Sequence, residues 1–213
     1  MSRKESSWKY ADDVVVDRPG IVAARAHSIE VGVRSVSPAV GRQLAVIAAA
    51  TAAKSSVEVG TGVGVSALYL LDGSPDATLT SIDAEAEHQQ VARAALLEAG
   101  VAPNRIRLIT GKAADVLPRL NDDAYDLVLL DADPAAIIDY VEHALRIVRS
   151  GGIVLIPHAL WEDRVADPAQ RGDVESDFRM LITEMAASAV VVSAVSPAGD
   201  GLLQVVKRPP FTD

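Results

Sequence analysis

A glycine-rich stretch beside a carboxylate is the part of this 213-residue chain best suited to hold a ligand. The stretch Val57–Ser66, VEVGTGVGVS, places Gly60, Gly62 and Gly64 directly after a β-branched run. Where a strand passes into a helix through such glycines, backbone amides can approach a ligand closely because no Cβ stands in the way. The spacing is neither the G-x-G-x-x-G of dinucleotide sites nor a P-loop with its Lys-Ser/Thr ending. Because Glu58 would repel a pyrophosphate but suit a cationic amine, the stretch predicts a phosphate-free ligand such as S-adenosylmethionine.

A second acid strengthens this interpretation. Asp83 ends the next β-rich run and lies 83 − 64 = 19 residues after Gly64, close to the ~20 residues typical of an acid that bonds ribose hydroxyls. Both features would lie beyond the C-terminal ends of neighbouring strands, where open α/β sheets bind ligands. Without Asp83 the glycines could be only a tight strand-to-helix turn. An NAD-dependent dehydrogenase is disfavoured by the glycine spacing and by Glu58.

The rest of the chain predicts an α/β fold. Short β-rich runs alternate with helical segments, which is the signature of βαβ units and a parallel sheet. The segment 134–148 has an apolar face and is predicted to be a helix that packs on this sheet. Asp200-Gly201 joins two apolar runs and predicts a hairpin that adds an antiparallel edge. The predicted parallel strands are residues 55–60, 78–83, 105–110, 125–131 and 152–157.

The chain ends and connections suggest one domain. Residues 1–20 lack a sustained period and are predicted to be a mobile N-terminal arm or a peripheral cover, with residues 21–213 as a single domain. Ser37 and Pro38 predict the start of a helix, as N-cap and first helical residue. Residues 158–173 form the one long predicted loop, and loops of that length are uncommon unless they serve a site.

Composition indicates the broad class of partner. The chain has no cysteine, a formal charge of -9 and 20 scattered Lys and Arg residues. It has no segment near the roughly 20 apolar residues that cross a bilayer. We therefore expect a soluble, cytoplasmic protein with a small-molecule partner, and neither a nucleic-acid nor a membrane partner.

Several segments resemble S-adenosylmethionine-dependent O-methyltransferases of the catechol and caffeoyl-CoA type. They are VEVGTGVGVSALYLL, SIDAEAEH, YDLVLLDADPAAIIDYVEHALRIVRSGGIVLIPHALW and the final GDGLL. The similarity runs from about residue 30 to residue 207. It implies a Rossmann-like methyltransferase fold, with a seven-stranded, mostly parallel sheet of order 3-2-1-4-5-7-6, an antiparallel last hairpin and helices on both faces. It also implies a homodimer.

The resemblance further implies which residues contact the cofactor. Asp83 would hold the ribose, Ala84 and Ala113 would flank the adenine, and Val36 would cover the methionine moiety. The residues implied to line the cofactor at the glycine loop are Glu58, Gly60, Thr61, Gly64 and Ser66.

The chain departs from the family at the metal site. Family members that use magnesium have Asp-Ala-Asp-Lys after strand four and Asp-Asn after strand five, whereas this chain has Asp131-Ala-Asp133-Pro134 and Pro157-His158. The exchange removes two of three oxygen ligands, so we expect no magnesium site. By resemblance, Asp131 and Asp133 still meet the cofactor. A softer metal on Asp131 and His158 is a weaker alternative, because three protein ligands are normally needed.

His158 and Asp131 are the candidate catalytic residues. Methyl transfer needs an acceptor oxygen held in line with the sulfonium methyl group, so much of the rate can come from positioning. Imidazole is suited to act as a general base near neutral pH. The alternatives are that His158 is only a polar loop residue and that Asp133 mainly caps the helix that follows Pro134.

The predicted activity is transfer of the S-adenosylmethionine methyl group to a hydroxyl of a small acceptor, aromatic or catechol-like, with S-adenosylhomocysteine as product. Trp161 and Arg164 would contact this acceptor by resemblance, or serve only as lid residues. His27, His88 and His143 are predicted to be solvated. The alternative is a non-catalytic S-adenosylmethionine-binding or regulatory protein that kept the cofactor pocket.

Overall fold

The structure, a computed structural model, describes residues 3–210, with side chains from residue 5 onward. The helices are α1 (Arg3–Asp13), α2 (Pro19–Glu30), α3 (Pro38–Ala50), α4 (Val65–Gly73), α5 (Ala86–Glu98), α6 (Ala113–Val116), α7 (Ile137–Ile147) and α8 (Asp173–Ala187). The strands are β1 (Ser55–Val59), β2 (Thr78–Asp83), β3 (Ile106–Thr110), β4 (Tyr125–Leu130), β5 (Val148–Pro157), β6 (Val191–Ser196) and β7 (Leu202–Lys207). Short 3-10 helices cover Pro103–Arg105, Leu117–Arg119 and Pro134–Ala136.

The seven strands form one sheet of order β3-β2-β1-β4-β5-β7-β6. Strands β1 to β5 pair in parallel, and β7 runs antiparallel to both β5 and β6. The expected strand order and antiparallel hairpin are thereby confirmed. Because the order reverses between β1 and β4, the crevice for a ligand lies at the C-terminal ends of these two strands.

Two apolar layers cover the two faces of the sheet. Alternate residues of β4 point to opposite faces, so Leu127 and Leu129 join one core while Val128 and Leu130 join the other. The first core packs against α2, α3, α4 and α5, and the second against α6, α7 and α8. Helices therefore cover both faces, as expected, and the sheet is a rigid platform for the loops at its edge.

Element boundaries agree closely with the sequence expectations and differ in two places. Strand β5 begins at Val148 rather than 152, and its pairing with β4 is irregular near Tyr125, where Gly151 adopts a φ of +78°. Helix α7 begins only at Ile137, because the 3-10 turn that opens at Pro134 precedes it. The hydroxyl of Ser37 accepts a hydrogen bond from the Val40 amide, so its predicted capping role is confirmed.

Two acids between residues 5 and 20 bond to the rest of the protein. Most of the predicted arm forms α1, and α2 begins at Pro19, close to the expected domain boundary. Asp12 Oδ1 accepts a hydrogen bond from the Ala39 amide (2.8 Å), and Asp17 Oδ2 accepts one from the Tyr69 hydroxyl (2.6 Å). Across residues 3–210, none of the helices combines the length and apolar character of a transmembrane span.

Candidate active site at the C-terminal strand ends

The glycine turn after β1 allows two strand ends to approach each other closely. Gly60 has a φ of +91°, and a Cβ built on it would lie 1.8 Å from the carbonyl oxygen of Asp131, the residue that follows β4. The Asp131 amide in turn donates to the Val59 carbonyl (2.8 Å). Only glycine fits at position 60, and the backbones after β1 and β4 together form one wall of the crevice.

Glu58 supports this turn from inside the protein. Its side chain is fully buried, with Oε1 accepting a hydrogen bond from the Ser66 hydroxyl (2.6 Å) and Oε2 accepting one from the Ser81 hydroxyl (2.5 Å). Burial raises the pKa of Glu58 to about 7, against the lowering effect of the two serine bonds. Thr61 extends the network, since its hydroxyl lies 2.6 Å from Ser81 and accepts a bond from Gln89 (2.9 Å).

Asp83, at the end of β2, presents a carboxylate to the crevice. Its Oδ2 accepts a hydrogen bond from the Gly62 amide (2.9 Å), and its Oδ1 accepts one from the Glu85 amide (2.9 Å). His88 Nδ1 lies 3.3 Å from the same Oδ1. This arrangement fixes an anionic acceptor beside the glycine turn, as a ribose diol requires.

These groups surround a cavity of about 540 Å³. Most of the predicted cofactor residues line it: Gly60, Thr61, Ser66, Asp83, Ala84, Ala113, Asp131 and Asp133. Three others do not line it. Val36 is buried, and the three residues before it line the cavity instead. Gly64 is the N-cap of α4. Both carboxylate oxygens of Glu58 accept hydrogen bonds from serines below the turn. Of the acids Glu58 and Asp131, only Asp131 is placed to face a cationic ligand.

A second, smaller cavity of about 180 Å³ adjoins the first. Arg34, Asp131 and Ala132 line both cavities, so the two spaces meet at the tip of β4. The remaining walls of the small cavity are mainly apolar and include two aromatic rings, those of Trp161 and Phe178, whose centroids are 6.1 Å apart. An apolar pocket with a few polar groups is typical of a small-molecule site.

His158 lies on the polar side of the small cavity, and the backbone places it there. The residue follows β5 with a φ of +58°, which turns the chain sharply out of the sheet. Its Nε2 lies 3.7 Å from Asp131 Oδ1, and its Nδ1 lies 3.4 Å from Asp200 Oδ2. The two predicted catalytic residues, His158 and Asp131, therefore lie side by side at the junction of the cavities.

The electrostatics of the junction depend on burial and on two nearby basic side chains. Burial raises the pKa of Asp131, while the neighbouring side chains of His158 and Arg34 act in the opposite direction. Tyr140, which lines the larger cavity, also has a raised pKa because of burial and of the carboxylates of Asp133 and Asp139. Its hydroxyl therefore remains a neutral hydrogen-bond donor at physiological pH.

The donor set at this junction does not match a magnesium site. Between residues 3 and 210, no three or more His, Cys, Asp and Glu side chains are grouped so that they could hold a metal ion. Asp133 Oδ1 accepts a hydrogen bond from the Ala135 amide (3.0 Å), which is the capping role considered for it. At the end of β5 the neighbours of Asp131 are Pro157 and His158, and neither side chain supplies the oxygen ligands that Mg²⁺ prefers.

Sequence reasoning missed several residues of the site. His88, expected to be solvated, lines the larger cavity and contacts Asp83. Its position in the first turns of the helix after β2 was the one available signal. Arg34 and Asp200 are joined by a 2.7 Å hydrogen bond, although they are 166 residues apart in the chain. Nothing in their local sequence indicates that contact.

Comparison with known proteins identifies the relatives of this chain. A family model described as O-methyltransferase matches residues 21–208. Two mycobacterial relatives with provisional O-methyltransferase names, from Mycobacterium ulcerans and Mycobacterium tuberculosis, are 42% and 41% identical over 207 residues. The alignments cover 97% of this chain and 92% of each relative.

Solved structures agree in fold. A Corynebacterium glutamicum protein superposes with a TM-score of 0.90 at 27% identity, with 100% of both chains covered. The O-methyltransferase TomG of Streptomyces achromogenes, which is involved in tomaymycin synthesis and was solved with S-adenosylmethionine, gives a TM-score of 0.84 at 25% identity. That match covers 98% of this chain and 100% of TomG.

Proposed function

Because the chain belongs to the O-methyltransferase family, we propose that it transfers the methyl group of S-adenosylmethionine to a hydroxyl of a small aromatic acceptor without a metal. The observation that carries this proposal is the junction of two cavities at Asp131 and His158. One cavity has the dimensions and acids for the cofactor, and the other is a small apolar space beside an imidazole.

The larger cavity fits S-adenosylmethionine, which supplies a methyl group on a positively charged sulfur. We infer that the ribose hydroxyls bond Asp83 and that the adenine lies near Ala84 and Ala113. The carboxylate of Asp131 then faces the cationic end of the cofactor. A carboxylate there stabilises a positive charge without the basic residues that a phosphate would need.

The smaller cavity fits a single ring that bears a hydroxyl. Trp161 and Phe178 supply flat apolar surface, and Asp131 and His158 supply the polar groups beside it. Trp161 is itself held by Arg34, whose guanidinium lies 5.5 Å from the indole centroid. This placement favours direct contact of Trp161 with the acceptor. Arg164 instead forms an ion pair with Glu175 (2.7 Å) and lines neither cavity.

In the proposed mechanism, side chains do the work that a metal would otherwise do. Holding the acceptor oxygen in line with the methyl group accounts for much of the rate. His158 then removes the hydroxyl proton as a general base, and Asp131 stabilises the positive charge that the imidazole gains. No step requires a divalent ion, in keeping with a donor set that does not suit one.

A methylation panel tests the proposal. Catechols and hydroxylated acyl thioesters are incubated with labelled S-adenosylmethionine, with and without EDTA. We expect turnover of at least one aromatic acceptor that EDTA does not reduce. Turnover that EDTA abolishes would contradict the metal-free mechanism. Cofactor binding with no turnover of any acceptor would instead favour the non-catalytic alternative.

The role of His158 has its own test. The variant His158→Ala should lower kcat at neutral pH by about 100-fold or more, since general bases typically contribute 10²–10⁴-fold. Binding of S-adenosylmethionine, measured by calorimetry, should stay within about threefold of wild type, because His158 does not line the cofactor cavity. An unchanged kcat would remove His158 as the base.

We also infer that the protein forms a homodimer, as the family resemblance implies. Helices α2 and α3 expose large aliphatic side chains, among them Val22, Ile29 and Val46. An interface between two copies would cover such side chains. Light scattering should give twice the mass of one chain, and the mass of a single chain would refute the inference.

A further inference from the structure

The carboxylate of Asp200 lies behind His158 on the side away from the cofactor. Its Oδ2 is 3.4 Å from His158 Nδ1 and accepts a hydrogen bond from Arg34 Nη2 (2.7 Å). Its Oδ1 accepts a hydrogen bond from the Glu162 amide (2.5 Å). Asp200 lines neither cavity, so it can act on an acceptor only through the side chains it contacts, the His158 imidazole and Arg34.

Backbone hydrogen bonds hold this carboxylate beside His158. The amides of Ala159 and Leu160 donate to the carbonyls of Gly201 (3.1 Å) and Asp200 (3.0 Å), so the β6–β7 turn is bonded to the chain directly after His158. A Cβ on Gly201 would lie 2.8 Å from the Leu160 nitrogen, which leaves no room for another residue type. The turn and the loop after β5 therefore form one unit.

Both ring nitrogens of His158 are buried, and within the described part of the chain neither has a hydrogen-bond partner of normal geometry. A carboxylate nevertheless faces each of them, at 3.4 Å for Nδ1 and 3.7 Å for Nε2. Catalytic hydrogen bonds are often long in a protein without substrate and shorten when the substrate binds.

We propose that Asp200 is a positioning residue that accepts the Nδ1–H of His158 and so leaves the Nε2 lone pair facing the acceptor cavity. The inference rests on the proposed function, in which His158 is the general base, and it names the residue that sets the tautomer of His158. Of the two carboxylates, Asp200 is the one held by Arg34 and by a backbone amide, whereas Asp131 lines both cavities and is free to contact ligands. The opposite tautomer would direct the lone pair at Asp200, out of reach of any acceptor.

The proton and the methyl group move in opposite directions at the acceptor oxygen. The acceptor O–H bond breaks, its proton forms a new bond to Nε2, and the imidazole becomes an imidazolium between two carboxylates. The oxygen electron pair forms the bond to the methyl carbon as the carbon–sulfur bond of the donor breaks, which leaves a neutral thioether. The imidazolium then releases its proton to solvent, and the Nδ1–H···Asp200 bond is kept throughout.

Nitrogen-15 NMR of the histidine rings tests the tautomer directly. The chain has four histidines, and the His158 resonance is the one that His158→Gln removes. At a pH where the ring is neutral, we expect the proton of wild-type His158 on Nδ1. A wild-type ring with the proton on Nε2 would overturn the proposal without recourse to any variant.

The variant Asp200→Asn refines the test. Its amide oxygen can still accept from the Glu162 amide, while its NH₂ group takes the place of Oδ2. This NH₂ group faces Nδ1, which favours a proton on Nε2, and it no longer accepts the hydrogen bond from Arg34. Asp163→Asn is the matched control, because it removes a carboxylate from the loop after β5, to which the Asp200 turn is bonded, at an exposed position with a φ of +62°, which Asn tolerates. We expect the tautomer to switch in Asp200→Asn alone; no switch would contradict the proposal.

Kinetics separate this inference from the proposed function. With an acceptor found by the methylation panel, Asp200→Asn should lower kcat about 10-fold or more and leave the KM for S-adenosylmethionine within about twofold. Asp163→Asn should match wild type in both. An unchanged kcat in Asp200→Asn would overturn the positioning role. If no acceptor is methylated, the proposed function fails while the tautomer measurement still decides the role of Asp200.

Discussion

At the scale of single residues, the site depends on carboxylates placed at strand ends. Asp83 is fixed by the amides of Gly62 and Glu85 and presents its charge to the larger cavity. Asp131 faces both cavities at the tip of β4, where they meet. Glu58 differs from both, since it is buried and bonded to Ser66 and Ser81. The acid nearest the glycine turn in sequence is therefore structural, and Asp83 and Asp131 at the strand ends face the cavities.

The charge of Asp83 should be important for cofactor binding. In Asp83→Asn the side chain keeps its shape but loses its charge, and a hydrogen bond to a charged group contributes about 1.5–3 kcal/mol. We expect the affinity for S-adenosylmethionine to fall by about 10-fold to 100-fold, measured by calorimetry. The exposed residue Asp76, changed to Asn, is the matched control and should bind as wild type does. Equal affinities for the two variants would exclude Asp83 from the site.

At the scale of elements, the site is formed where strand ends meet helix starts. Gly60 connects β1 to the glycine turn and touches the chain after β4. Glu58 on β1 bonds Ser66 on α4 and Ser81 on β2, so one side chain joins three elements. These contacts join the elements that surround the crevice, so changes to them should affect folding stability as well as binding.

Gly60→Ala tests the close approach of the strand ends. The new Cβ would meet the Asp131 carbonyl at 1.8 Å, so we expect the free energy of unfolding to drop by about 3 kcal/mol or more. Gly32→Ala is the control, because Gly32 also has a positive φ but a Cβ added there would have no atom within 4 Å. Its cost should be only that of the backbone strain, about 1–2 kcal/mol. Urea unfolding of both variants measures the difference, and similar costs would contradict the close approach.

Glu58 should make folding stability depend on pH. Its pKa is about 7 in the folded protein against an ordinary value of 4.5, so the folded state keeps a proton that the unfolded state releases between these values. The stabilisation is therefore full below pH 4.5 and is lost as the pH rises through about 7. From about pH 5 to about pH 8, wild type should lose about 2.5 kcal/mol relative to Glu58→Gln in urea unfolding. Parallel pH profiles for the two proteins would refute the shift.

At the scale of the whole molecule, the sequence predicts the strands and helices better than the side-chain contacts between distant segments. Alternating β-rich and helical runs locate the strands within a few residues, because each run reports local periodicity. The place of Asp83 follows from its distance to the glycines. The strand order itself comes from family resemblance. By contrast, the bond between Arg34 and Asp200 forms because the folded chain brings residue 34 close to the last hairpin. No local sequence pattern predicts that contact.

Cofactor binding should stabilise the whole fold. A ligand that binds only the folded state at 100 times its Kd adds about 2.7 kcal/mol, and for a chain of this size each kcal/mol raises Tm by about 2–4 °C. Saturating S-adenosylmethionine should therefore raise Tm by about 5–10 °C in calorimetric scans. NAD should leave Tm unchanged, and a larger shift with NAD would favour a dinucleotide site.

A crystal structure with S-adenosylhomocysteine tests most directly whether the crevice at the strand ends is the cofactor site. We predict the adenosine between the glycine turn and Asp83, with the sulfur directed at Asp131 and the small cavity beside His158 left open for an acceptor. Density for the ligand elsewhere on the protein, or a ligand whose sulfur points away from His158, would contradict this placement.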